Sequence, residues 1–186
     1  LKADDKSGRP RPASLKGVGM AIHNSLVYGQ VSGWIYWQYL GSKDTENIFD
    51  LVYTKVGPDP QDRKKQVVTE IVPSKKYYIH KHFSKYLQPG VQRIAAGPDG
   101  QSGVAVSAFE HPQDQTLTVI LINPTDAEQS AALELKTTGK VAQLEAYRTT
   151  EKENWQKLDD LAVRDGRAEV ALPAYSMVTL YGKEAR

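Results

Sequence analysis

The sequence contains no cysteine, which excludes disulfide bridges and thiolate metal sites. It has no apolar run of about 18 residues, so no segment reads as a membrane span. Neither sign of charge dominates: 24 Lys and Arg against 22 Asp and Glu leave a formal +2. Basic residues are dispersed except at Arg63-Lys64-Lys65, which reads as a solvated loop, so nucleic acid is not an expected partner. There is no internal repeat, low-complexity tract, Ser nucleophile elbow, Gly-rich phosphate loop or metal-ligand cluster, and neither a metal nor a phosphate ligand is expected. No signal peptide is legible, and the first residue is Leu1 rather than methionine, a start that suggests a cleaved product or a fragment.

What is present is globular composition, 40% apolar and 25% charged, in 186 residues. That length suits one ordinary domain or two small ones. From Ser14 to Tyr28 the period is helical: Leu15, Val18, Gly19, Ile22 and Leu26 share a face, Ser14 is a candidate N-cap and Gly29 a stop. The period then becomes strand-like in VSGWIYWQYLG, so helix, turn and strand make half of an α/β repeat. The stretch 44–56 is ambiguous, 57–65 (GPDPQDRKK) reads as loop, and QVVTEIV (66–72) as a short strand. A second helix opens at Pro73-Ser74, gathers Tyr78, Ile79, His82, Phe83 and Tyr86 on one side, and stops at Pro89-Gly90.

Beyond Gly90 the helical period disappears. VQRIAA, GVAVSAFEH, TLTVILINP, SAALELK, VAQLEAYRTT, RAEVALP and SMVTLYG are short runs of alternating or β-branched residues. Turn-forming stretches such as GPDGQSG, PQDQ, PTDAEQ and TTGK separate most of them, which predicts an antiparallel sandwich. The boundary between the halves is expected near Gln88, giving segments 1–88 and 89–186.

The stretch GWIYWQYL, residues 33–40, concentrates four rings in eight positions. In a strand, Trp34 and Tyr36 take one side and Ile35, Trp37 and Tyr39 the other. Covered on both faces, such rings fill space. A ring near the C-terminal end of a barrel strand would instead reach a ligand. Trp37, followed by the polar Gln38 and a Gly-Ser-Lys-Asp-Thr loop, is the candidate, because an indole offers a pyranose a broad apolar contact.

Five segments, in order, resemble the C-terminal end of glycoside hydrolase family 30, which includes glucosylceramidases, glucuronoxylanases and β-1,6-glucanases. AIHNSLVYG leading into SGWIYWQYL resembles the family's seventh helix and eighth barrel strand. KKYYIHKHFSKYLQPGVQRI resembles its last barrel helix and the passage into the sandwich. GVAVSAFEHPQDQTLTVILINPT resembles the first sandwich hairpin, and AYRTTEKENW and LPAYSMVTLYG the closing strands. The resemblance implies an α/β plus all-β fold, the C-terminal portion of a (β/α)8 barrel followed by an antiparallel β-sandwich. It implies a carbohydrate substrate, an upstream barrel partner in the same or another chain, secretion, and no cofactor. It places Trp37 in the subsite holding the sugar to be cleaved, with Gln38 as its neighbour.

Retaining glycosidases use two carboxylates about 5–5.5 Å apart. The resemblance puts both upstream of Leu1, so no residue here carries either, and the chain alone is expected to be inactive. Asp4-Asp5 reads as neighbouring solvated acids. Glu46 and Asp50 could border a cleft but read as loop or cap charges, and Glu110 ends a sandwich strand. His80 and His82, two apart on a helix, cannot share a metal as an i, i+4 pair would. His82 is expected to pack with the aromatic face that docks its helix, His23 to be packed near the barrel surface, and His111 to follow a strand. Trp155 reads as a plug at the sandwich edge rather than a sugar platform. The alternative function is a non-catalytic carbohydrate-binding or structural β-sandwich module.

Overall fold

A computed structural model describes residues 15–43, 50–97, 103–136 and 139–185, with backbone only at Lys16, Ser42 and Lys43. The expectations for Asp4-Asp5, Ser14 and Glu46 lie outside the described residues. Among those described, the chain is mostly β, with two short helices preceding the sandwich.

The first helix begins as a π-helical turn, Leu15–Gly19, and continues as α1, Met20–Val27. Leu15, Val18 and Ile22 are buried and Leu26 partly so, as the helical period requires. Its end is closed by the Gly29 amide, which donates to the Asn24 carbonyl at 2.9 Å. Residues 31–39, expected as a strand, join no ladder among the described residues and bend at Ser32, Trp37 and Tyr39, so pairing begins only at β1, Leu40–Lys43. β1 runs parallel to β2, Val52–Pro58, which turns back through 59–65 into antiparallel β3, Gln66–Pro73. The predicted loop at 57–65 is therefore shorter than expected, because Gly57 and Pro58 still pair with Val67 and Gln66. Helix α2, Lys75–Ser84, follows Ser74 and buries Ile79, His82 and Phe83.

A barrel is not formed among the described residues. Closure needs eight parallel strands, whereas the first half supplies one three-stranded sheet with a single parallel pair. The residues that seal α1 and α2 come from the sandwich instead.

The larger sandwich sheet has the path β10-β9-β13-β6-β5-β4, with β8 on β13 and β11 on β9. In chain order these are β4 (Gln92–Ile94), β5 (Ala105–His111), β6 (Thr116–Asn123), β8 (Lys140–Val141), β9 (Gln143–Thr149), β10 (Gln156–Lys157), β11 (Leu161–Ala162) and β13 (Ser176–Ala185). The second sheet pairs β7, Gln129–Glu134, with β12, Arg167–Leu172. Every sandwich pairing is antiparallel. All seven predicted strand segments are found. The pairs β10 and β11 were not foreseen, since two residues carry no period.

β6 shows why TLTVILIN carries the unbroken apolar stretch Val119 to Ile122: all eight of its residues are buried. A strand covered on both faces loses the usual alternation of apolar and polar residues. Leu117, Val119 and Leu121 join Leu144, Leu172, Val178 and Leu180 between the two sheets. Ile120 and Ile122 face the other way, with Phe109 and Met177, against Leu15, Ile22, Ile79 and Phe83 of the helical segments. The outer face of the larger sheet is thus the bed on which both helices lie.

Candidate functional site

Exposure alternates from Ile35 to Tyr39, with Tyr36 and Gln38 half-buried between exposed neighbours. Tyr36 is half-buried, its ring 4.5 Å from the His80 imidazole in an edge-on contact. Trp34 lies on the same side, where it lines a groove of about 630 Å³ with Leu26, His80, Phe83 and Arg93. The opposite side is open: Ile35 is 97% exposed, Trp37 75% and Tyr39 64%. The division read from the sequence holds for Tyr36, which packs, and for Trp37, which is free, whereas Trp34 lines the groove but is itself 38% exposed.

Two hydrogen bonds from the far side of the β1–β2 loop hold this stretch. Leu51 N–H donates to the Gln38 carbonyl at 3.0 Å, and Val52 N–H to the Tyr39 carbonyl at 2.8 Å. The peptide bond between Trp37 and Gln38 is cis. Gln38 is half-buried, and its side-chain amide donates to Asp50 Oδ1 at 3.0 Å. Of the two predicted site residues, then, Trp37 presents its ring to solvent and Gln38 directs an amide hydrogen into the protein.

Asp50 is fully buried, which corrects its reading as a loop or cap charge. Its carbonyl accepts from Ser74 Oγ at 3.0 Å, and Ser74 N–H donates to the Leu51 carbonyl at 2.8 Å, so it also joins the start of α2. Its carboxyl occupies the space beside Gly41 that a side chain would need: a Cβ there would fall 1.7 Å from Asp50 Cγ. Its charge, after burial, contributes to raising the Tyr36 hydroxyl pKa. One sequence signal could have found it, a lone acid inside the apolar run IFDLVY. Lys76, almost fully buried in the first turn of α2, had no such signal.

The histidines are structural. His82 is fully buried, with Nδ1 2.7 Å from Thr179 Oγ1 and Nε2 2.8 Å from Thr149 Oγ1. Burial, aided by the positive charge of Lys81, lowers its pKa to about 3. The ring is therefore neutral at ordinary pH. Because Thr179 Oγ1–H donates to the His82 carbonyl, Nδ1–H donates to Thr179 and Nε2 accepts from Thr149. His80 points elsewhere, Nδ1 3.0 Å from the Lys76 carbonyl, so the two histidines do not converge. His23 is packed against the sandwich, its Nδ1 2.7 Å from Ser107 Oγ on β5. His111 Nδ1 accepts from Asp114 N–H, which leaves Nε2–H to donate to the Pro89 carbonyl at 3.1 Å. The close approach of that ring explains Gly90, whose φ of +99° and 3.2 Å Cβ clearance from Nε2 both disfavour a side chain.

Trp155 belongs to the packing as well. Its indole stacks on Tyr147, centroids 4.7 Å apart at 12°, meets His82 edge-on at 4.8 Å, and carries Lys81 Nζ 4.9 Å from its centroid. Lys157 Nζ lies 5.1 Å from the centre of the Tyr147 ring. The indole is engaged by protein groups, which favours the edge plug over a sugar platform. Glu110 is held protonated to higher pH by burial and by Glu184 nearby. Among the described residues no group of three His, Cys, Asp or Glu could hold a metal, and no helix is long and apolar enough to cross a membrane.

Residues 90–180 match the family described as "Glycosyl hydrolase family 30 beta sandwich domain". A curated relative, the glucuronoxylanase XynC of Bacillus subtilis, is 28% identical over 97% of this chain and 37% of its own length. The glycoside hydrolase family 30 subfamily 8 xylanase Xyn30A of Clostridium acetobutylicum superposes with a TM-score of 0.72 at 20% identity, covering 100% of this chain and 41% of that one. A conserved exported protein of Bacteroides fragilis superposes at 0.71 with 19% identity, over 97% of this chain and 37% of its own. The chain thus spans about two-fifths of the length of these relatives.

Proposed function

Since this chain belongs to glycoside hydrolase family 30 through its C-terminal part, we propose that it is the C-terminal portion of a retaining β-glycosidase. In the intact enzyme residues 1–88 complete a (β/α)8 barrel and residues 89–186 form the sandwich beside it. The segment 31–39 serves as the last barrel strand, with the side that carries Ile35, Trp37 and Tyr39 turned inward. Trp37 forms an aromatic wall for the sugar whose bond is cleaved, and Gln38 lies beside it. The catalytic carboxylates are assigned to no residue of this chain, which by itself is inactive.

The observation that carries this reading is the division of the rings: Tyr36 packs on His80, while Trp37 stands 75% exposed at the end of the segment. An indole exposed in that way suits a pyranose face. A glucuronoxylan-type glycan is the first substrate to test, because the curated relative is a glucuronoxylanase. Export is proposed with it, by likeness to the exported Bacteroides protein.

The test is a titration of the chain with xylo-oligosaccharides, followed by tryptophan emission and repeated with Trp37→Ala and Trp155→Ala. A response lost with Trp37→Ala and kept with Trp155→Ala supports the proposal. A response that survives Trp37→Ala removes Trp37 from the site and turns the reading towards a binding module on the sandwich.

A further inference from the structure

Trp37 is exposed, yet the two residues after it are held by Asp50 and its chain neighbours. Gln38 donates to Asp50 Oδ1 at 3.0 Å, and the next two residues, Leu51 and Val52, close the backbone bonds to Gln38 and Tyr39. The Asp50 carbonyl is fixed in turn by Ser74, at the head of α2. Gly41 completes the arrangement by absence: a Cβ would sit 1.7–1.9 Å from all three carboxyl atoms of Asp50. Relieving that overlap means turning the Asp50 carboxyl away from its place beside Gly41 and Gln38, within surroundings that leave Asp50 fully buried.

A wholly buried carboxylate is costly unless its partners compensate. A solvated loop charge would need none of this enclosure. Aspartate here does what a short polar side chain can do and an apolar one cannot. It fills the void above Gly41 and presents an acceptor to Gln38, so that the residue after Trp37 is held from both its carbonyl and its side chain.

We propose that Asp50 is the positioning residue for Trp37, acting through Gln38 and made possible by Gly41. This inference rests on the reading of Trp37 as the sugar-facing ring. Asp50 touches no ligand in this role. It sets where the indole stands and how little it moves, and so acts on sugar affinity indirectly.

The test compares Asp50→Ala, Gly41→Ala and Asp50→Asn in the full chain, with the three tryptophans labelled as 5-fluorotryptophan and amide exchange followed at Leu51 and Val52. Losing the Gln38 contact in Asp50→Ala, or expelling the carboxyl in Gly41→Ala, is expected to speed exchange at both amides about tenfold. The Trp37 fluorine resonance shifts and broadens while that of Trp155 stays in place, and xylo-oligosaccharide binding weakens by about tenfold. Asp50→Asn keeps the shape and the Oδ1 acceptor and restores all three readouts. Unchanged exchange and an unchanged Trp37 resonance in both alanine variants would overturn the proposal. So would an equal disturbance of the Trp155 resonance, which marks a general loss of fold. Altered exchange and resonance in a chain whose wild type binds no xylo-oligosaccharide would leave Asp50 as the residue that orders Trp37 and would instead sink the sugar-binding reading.

Discussion

His82 Nδ1 lies 2.7 Å from Thr179 Oγ1, and the Thr179 hydroxyl donates back to the His82 carbonyl at 3.2 Å, so α2 and β13 are tied at one point in both directions. The bond is made by a neutral imidazole, and Thr149 on β9 occupies its other nitrogen.

That neutrality gives stability a pH dependence. The folded pKa of His82, about 3, lies below the ordinary 6.5, so the folded state binds fewer protons than the unfolded chain. The stabilisation is complete above pH 6.5 and is lost as the pH falls towards 3. Burial also lowers the pKa of His23 and of His80, in the same sense. Urea denaturation at pH 7.5 and pH 5 should therefore differ by at least about 2 kcal/mol. His82→Gln, less stable at pH 7.5, should lose less on acidification. An equal loss in that variant would rule out His82 as the source.

Ile120 is fully buried on the face of β6 turned towards the helices. Ile120→Ala should cost about 2–5 kcal/mol by the cavity it leaves. The damage should fall on the helical segments, since Leu117, Val119 and Leu121 still hold the two sheets together. Hydrogen exchange resolved by segment would show α1 and α2 opening before β5, β6 and β13. Uniform opening would mean that the helices and the sandwich unfold as one unit.

Trp37 and Trp155 should separate cleanly in stability. Trp37, 75% exposed, contributes little packing, and Trp37→Ala should move the unfolding free energy by less than about 0.5 kcal/mol. Trp155→Ala removes contacts with Tyr147, His82 and Lys81 and should cost about 2–4 kcal/mol. Thermal unfolding of the two variants decides it, the opposite ranking being the outcome that refutes the assignment.

The open side of 31–39, with Ile35, Trp37 and Tyr39 and the neighbouring Leu40 exposed, forms an apolar strip along a segment that joins no strand ladder among the described residues. Such a surface favours association. Sedimentation should show self-association that grows with concentration, and Ile35→Lys should move the distribution towards monomer. A wild-type chain that stays monomeric and binds no hydrophobic dye would contradict this.

Much was legible in the sequence because the cause was local. Short β-branched runs between turn residues specified the seven sandwich strands, and the spacing of Leu15, Val18, Ile22 and Leu26 specified the face that α1 buries. The two-residue period separated the half-buried Tyr36 from the exposed Trp37 and Tyr39, because neighbouring side chains in a strand-like stretch take opposite sides. What lay across the chain was not legible. The bed under the helices is formed by Phe109, Ile120, Ile122 and Met177, which follow the helical residues of the same cluster by 26 positions (Phe83 to Phe109) up to 162 (Leu15 to Met177). Asp50 reads as a loop charge because its partners, Gln38, Gly41 and Ser74, stand 12, 9 and 24 residues from it with no helical or strand period relating them. Local propensity and period determined which segments are helices and strands. Only the tertiary structure decided which buried polar group meets which, because a hydrogen bond or a steric void is a property of two approaching segments and of neither one by itself.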